Sequence, residues 1–274
     1  MKKIIVPIDF SDTALNAALY AGNMAEFYGA DLWLYHAYEM LVPAPEYGYT
    51  YVSEKELQQS ALQELELFKN KIQSELRRTI NIFTTASNSK LTDGLDELCR
   101  NIDPDLVVMG LSGKNALTRL IVGSNTIKVI HRLPYPVLVI PYGALFTPVR
   151  KIGFACDFEK ILEYSPVETL KAVVHDLNAE LLVVNIKDIN APAAEEEAKE
   201  SMYAGELLHS MRPSYQTVVS AGVRNGINWF AEKEKIDWMV MVPRKHNLTE
   251  KIFSKSQTKD LLHHTNLPVL CMHA

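Results

Sequence analysis

The residues best suited to chemistry fall in one stretch, Gly110-Leu-Ser-Gly-Lys-Asn-Ala-Leu-Thr-Arg-Leu-Ile-Val-Gly-Ser-Asn125. An apolar run, Asp105-Leu-Val-Val-Met109, precedes it and predicts a buried parallel strand. Thr126-Ile-Lys-Val-Ile-His131 follows with the spacing of a helix. The glycines therefore sit between a strand and a helix. Gly110 and Gly113 can take positive φ and let a ligand approach the backbone closely. Gly123-Ser124 is expected to open the helix, with Ser124 or Asn125 as its N-cap. Free N–H groups and the positive dipole end at that point suit a phosphate. The spacing, Gly-x2-Gly-x9-Gly-Ser, is neither a Walker A loop nor Gly-x-Gly-x-x-Gly. The other polar feature is Asp9, which closes the β-branched run Lys3-Ile-Ile-Val-Pro-Ile-Asp9.

These residues need a scaffold, and the first half supplies an alternating one. A strand over 3–9 leads into a helix capped by Ser11-Asp12, which carries Ala14, Leu15, Ala18, Leu19, Ala21 and Ala25 and stops near Gly29. Strands are predicted over 31–37, 81–86, 105–109 and within 133–141. Helices are predicted over 54–78, with Leu57, Ala61, Leu65, Phe68, Ile72 and Leu76 on one face, and over 91–101. A βαβαβαβαβ order implies a parallel sheet with helices on both faces. Ligands of such sheets bind beyond the carboxyl ends of the strands where the strand order reverses. Asp9 and Gly110 meet there if strands one and four are neighbours.

The second half restates the first. Lys151-Ile-Gly-Phe-Ala-Cys-Asp-Phe158 repeats Lys3-Ile-Ile-Val-Pro-Ile-Asp-Phe10, and Ala179-Glu-Leu-Leu-Val-Val-Asn185 repeats Ala30-Asp-Leu-Trp-Leu-Tyr-His36. Ile236-Asp-Trp-Met-Val-Met241 repeats Pro104-Asp-Leu-Val-Val-Met109, and Leu267-Pro-Val-Leu-Cys271 repeats Tyr135-Pro-Val-Leu-Val139. Two domains of one fold follow, residues 1–144 and 149–274, joined across Gly143–Pro148. None of the three glycines survives in the second copy, where Val242 and Pro243 follow the strand and Arg244, Lys245 and His246 make the loop cationic.

Composition excludes several classes. A net charge of −5 without long single-sign runs gives no footprint for nucleic acid. Cys99, Cys156 and Cys271 show no pairing or metal spacing, which suits a reducing cytoplasm. No apolar run has the length of a transmembrane helix. His36 reads as a packed strand residue. His263, His264, His273 and His209 lack the spacing of a metal site. The tyrosines of Tyr47-Gly-Tyr-Thr-Tyr51 read as surface-loop packing. Lys114 and Arg119 could assist phosphate chemistry, but no positioned base accompanies them, so no catalytic residue is assigned.

With the glycine spacing, Asp9 and the duplication in hand, the chain resembles a tandem universal stress protein over nearly its whole length. The resemblance is strongest over 1–38 and 104–141. It implies α/β architecture: two five-stranded parallel sheets of order 3-2-1-4-5, with helices on both faces, packed about a pseudo-two-fold axis. The fifth strands, 137–140 and 269–272, are expected to meet there, because an uncovered apolar edge is a liability. It also implies ATP or another adenine nucleotide, with Mg2+, held in the first domain. Asp9, with Pro7 beside it, would contact the ribose or adenine side, Ala37 would offer its backbone to adenine, and Met109 would pack near the base. Gly110, Gly113, Gly123, Ser124 and Asn125 would hold ribose and phosphates. The implied role is a cytoplasmic stress-response sensor or regulator with a protein partner, as a monomer with an internal pseudo-dimer or as a homodimer. A nucleotide-free interaction scaffold and a slow ATP hydrolase stand as the alternatives.

Overall fold

The computed structural model describes residues 1–40, 53–111, 124–156, 166–189, 208–243, 262 and 265–273. In the first domain β1 (Lys3–Pro7), β2 (Asp31–Tyr38), β3 (Ile82–Asn88), β4 (Leu106–Gly110) and β5 (Val137–Ile140) alternate with α1 (Asp12–Tyr28), α2 (Glu54–Glu75), α3 (Leu91–Ile102) and α4 (Ser124–Arg132). In the second, β6 (Lys151–Ala155), β7 (Glu180–Asp188), β8 (Ser214–Ser220), β9 (Trp238–Met241) and β10 (Val269–Cys271) recur, with α5 (Val167–Leu177) ahead of β7 and α6 (Val223–Glu234) ahead of β9.

The strands form one ten-stranded sheet in the order β3-β2-β1-β4-β5-β10-β9-β6-β7-β8. Within each half every pairing is parallel, and both halves have the expected order. The halves join where β5 and β10 run antiparallel, with Leu138 opposite Leu270 and Val139 opposite Val269. Leu138 and Leu270 occupy the same place in the two copies, so a pseudo-two-fold axis passes between them. Each fifth strand thereby covers the other's apolar edge.

Two apolar layers sandwich the sheet. Residues of α1, α2 and α5 cover one face, and residues of α3, α4 and α6 cover the other. α1 lies close to the sheet because its buried stripe is mostly alanine (Ala14, Ala17, Ala18, Ala21, Ala25). Ser11 caps it by accepting a hydrogen bond from the Ala14 N–H, and Gly29 ends it in the left-handed region (φ 69°). A repeated device starts the first strand of each copy. The Asp105 Oδ2 accepts from the N–H groups of Lys2 and Lys3, and the Asp237 Oδ2 accepts from those of Arg150 and Lys151.

The domains also meet through a buried polar contact. The Trp238 Nε1–H on β9 donates to the Tyr20 hydroxyl on α1 at 2.8 Å. Burial pushes the Tyr20 phenol pKa up, so the hydroxyl stays neutral and able to accept. Cys99, Cys156 and Cys271 are buried. No described helix is long and apolar enough to cross a membrane.

Candidate functional site

β1 and β4 are neighbours, Ile4 opposite Leu106, so their carboxyl ends open into the same crevice. A cavity of about 280 Å³ lies there, walled by residues that follow β1, end β2 and β4, and begin α1, α3 and α4. Of the residues singled out from the sequence, Pro7, Asp9, Ala37, Met109, Gly110, Ser124 and Asn125 all line it. Gly113, Gly123, Lys114 and Arg119 lie outside the described residues, as do Tyr47, Tyr49 and Tyr51. Ile8, Thr13, Ala14, His36, Leu91 and Thr126 also line the cavity, and no spacing pattern singles them out.

Asp9 stands two residues beyond the end of β1, which stops at Pro7. It is exposed, and its Oδ1 accepts hydrogen bonds from the backbone N–H and hydroxyl of Ser11. Ser11 caps α1, so Asp9 braces the helix start while keeping its carboxylate at the cavity wall. The next residue, Phe10, holds a left-handed conformation (φ 59°) that costs a non-glycine residue energy. Its ring packs against His36 at 4.7 Å and Phe68 at 5.9 Å, which offsets that cost.

His36 does more than fill the core. Its Nδ1 lies 2.7 Å from the Ile8 carbonyl, which can only accept, so Nδ1 carries the proton. The Ile8 N–H in turn donates to the Tyr35 carbonyl at 2.7 Å. The turn that presents Asp9 is thus fastened to β2 from both sides. Tyr38 stacks near the same ring, with its phenol pKa raised by burial and the Glu54 carboxylate.

The structure changes the account of Gly110 and corrects that of the α4 cap. Gly110 does not take positive φ; the described glycines that do are Gly29 and Gly143. Gly110 ends β4 as a strand residue, and a Cβ there would lie 2.5 Å from the Thr13 carbonyl oxygen. Glycine is needed so that β4 can pass under the first turn of α1. Likewise, neither Ser124 nor Asn125 is the N-cap of α4. Both already lie in its first described turn, exposed at the cavity. The polar anchor of that turn is Thr126, buried, whose hydroxyl donates to the Gly110 carbonyl at 3.3 Å.

The cavity's chemistry is that of an anion-tolerant, partly apolar site. The first turns of α1 and α4 and the first residue of α3 face it, and helix N-termini carry unpaired N–H groups and positive partial charge. Asp9 is an acceptor suited to hydroxyls, while Ala37, Leu91 and Met109 form an apolar side suited to a flat ring. The volume sits at the small end of ligand pockets, which run from about 300 Å³ upward. No group of three or more His, Cys, Asp or Glu among the described residues could hold a metal by itself.

Comparison with known proteins fits this architecture. The profile of the universal stress protein family matches residues 1–141 and again 148–273. A universal stress protein of Methanocaldococcus jannaschii is 32% identical over 144 residues, covering 51% of this chain and 81% of the relative. One from Thermus aquaticus is 29% identical over 142 residues, covering 51% of this chain and 98% of the relative. A crystal structure of a universal stress protein from Archaeoglobus fulgidus superposes on 98% of the chain and 95% of its own length, with a TM-score of 0.67 at 15% identity.

Proposed function

This chain belongs to the universal stress protein family, and we propose that its first domain binds an adenine nucleotide in the cavity at the ends of β1 and β4. The observation that carries the reading is the convergence of Asp9, Ala37, Met109, Gly110, Ser124 and Asn125, from four separate segments, on one 280 Å³ cavity. In this reading the base lies against Ala37, Leu91 and Met109, the ribose hydroxyls donate to Asp9, and the phosphates extend toward Ser124 and Asn125 at the start of α4. Gly113 and Gly123, outside the described residues, are assigned to the phosphate side, and Mg2+ accompanies a di- or triphosphate. The protein acts as a sensor: a ligand bridging the β1 end to α4 favours the conformation in which these segments are held together, and a protein partner reads that conformation. The domains are taken as residues 1–144 and 149–274, the second a copy that completes the sheet.

The test is the nucleotide content after gentle purification, followed by calorimetric titration of the emptied protein with Mg-ATP, Mg-ADP and AMP. One site per chain is expected. Asp9→Ala should weaken binding about 10- to 100-fold, the worth of a hydrogen bond to a charged group. No bound nucleotide and no heat at millimolar ligand would sink the reading in favour of a nucleotide-free scaffold.

A further inference from the structure

The helix that begins at the cavity ends against the other domain. The described part of α4 has nine residues, about 14 Å at 1.5 Å per residue, too short to hold itself together by helix propensity. Its inner face is fixed by burial of Thr126, Val129 and Ile130. Its last carbonyls lack intrahelical donors, as at every helix end. Val129 receives the Leu133 N–H at 3.0 Å. The Ile130 carbonyl is met by the Nε2 of His273, from the segment that follows β10 in the second domain. A carbonyl only accepts, so that nitrogen carries the proton and donates. β10 is locked to β5 by antiparallel pairing of Val269, Leu270 and Cys271, so His273 reaches α4 from a rigid support. Within its own domain α4 is fastened by Arg132, which pairs with Asp93 and donates to the Thr92 hydroxyl on α3.

We propose that His273 is a positioning residue through which the second domain holds α4, and with it Ser124 and Asn125, in the arrangement that receives the nucleotide. The proposal rests on the nucleotide reading for its binding arm only. It gives the second domain a part in a site to which it contributes no lining residue among the described ones. Coupling of this kind is reciprocal: what His273 does for the ligand, the ligand does for the contact.

His273→Ala and His273→Gln are compared with the unaltered full chain by titration with AMP and Mg-ATP, and by amide hydrogen exchange of residues 124–132 without ligand. His273→Ala should weaken nucleotide binding about five-fold, the worth of one ordinary hydrogen bond. It should also speed exchange in α4 relative to α3. The glutamine amide can donate in the same way and should recover most of both effects. Added nucleotide should slow exchange at 269–273 in the unaltered chain. A general structural role would lower the melting temperature of both variants and leave affinity well below that temperature unchanged. Affinity and α4 exchange equal to the unaltered chain in His273→Ala would overturn the proposal. If the unaltered chain binds no nucleotide, the functional reading fails. The ligand-free exchange then still decides whether His273 positions α4.

Discussion

The two halves of the sheet keep the same framework and differ at one end of it. Lys3 opposite Asp31 matches Lys151 opposite Glu180, and Ile4 opposite Leu106 matches Ile152 opposite Trp238. The aspartates that tie down the starts of β1 and β6 are equivalent, and Gly94 of α3 matches Gly226 of α6. At the carboxyl ends the match fails. Ala37 becomes Ile186, 5% exposed and packed so closely on α6 that a Cβ on Gly226 would lie 2.6 Å from it. Gly110 becomes Val242, Leu111 becomes Pro243, and His36 becomes Asn185. Ala37 and Gly110, which line the cavity in the first domain, are replaced by bulkier side chains in the second. Strand pairing and layer packing sustain the fold in both copies, while side-chain size differs at a few strand ends.

Removing the bulk should cost the most. Ile186→Ala deletes a buried side chain from the layer beneath α6, and such truncations cost about 2–5 kcal/mol. A loss near 3 kcal/mol is expected in urea denaturation. Nucleotide binding in the first domain should be unaffected, and no second site should appear, because Val242 and Pro243 remain. A second binding event in the titration would break the comparison as drawn.

Importing the bulk is the sharper experiment. Ala37→Ile places the second copy's side chain at the cavity wall. Nucleotide affinity should fall at least about 100-fold, with stability changed by less than about 1.5 kcal/mol, since the added group enters open space. Unchanged affinity would show that the base does not lie against Ala37.

How far the sequence foretold this arrangement follows from what each residue answers to. Apolar alternation and short β-branched runs reveal strands because burial acts locally, and the duplication shows the same alternation of elements twice, whereas the strand order comes only from the family resemblance. Asp9, Ala37 and Met109 were legible as strand-end residues once the strands were placed. Thr13, Leu91 and Thr126 were not, because they reach the cavity from helix starts whose orientation depends on the packed sheet. Thr126 did leave a signal, a polar residue among the apolar positions of α4. The need for glycine at 110 was legible but its reason was not. It comes from the Thr13 carbonyl, ninety-seven residues away in sequence (110 − 13), rather than from the local φ.

The contact between the halves can be tested next. Tyr20→Phe removes the acceptor for the Trp238 indole N–H while keeping the ring. A buried donor without a partner costs about 1–3 kcal/mol, so a loss near 1.5 kcal/mol is expected in denaturation. The same substitution should leave nucleotide affinity within about two-fold, because neither residue lines the cavity. A large loss of affinity would mean that the interface and the cavity communicate through α1, and the comparison of separate halves would have to be redrawn.

The smallest effect distinguishes the helical layers by pH. Cys99 on α3 has its thiol pKa pushed up to about 12, first by burial and then by the Asp96 carboxylate; its counterpart on α6 is Ala231. Cys271 on β10 is pushed up to about 12 by burial alone. An unfolded thiol ionises near 8.5. Below that pH both states hold the proton and the stability contribution is constant. Between about 8.5 and 12 the unfolded chain releases protons that the folded chain keeps, so the folded state binds more protons and stability falls as pH rises. Cys99→Ala copies the second domain and removes one of the thiols responsible. Its melting temperature should therefore decline less steeply than that of the unaltered chain between pH 8 and 10, corresponding to a stability difference of about 1.4 kcal/mol one unit above the free thiol's pKa. Parallel declines would mean that Cys99 ionises in the folded protein as easily as in the unfolded one. The tight layer of Leu95, Cys99 and Val107 over the first half of the sheet would then open to solvent at alkaline pH.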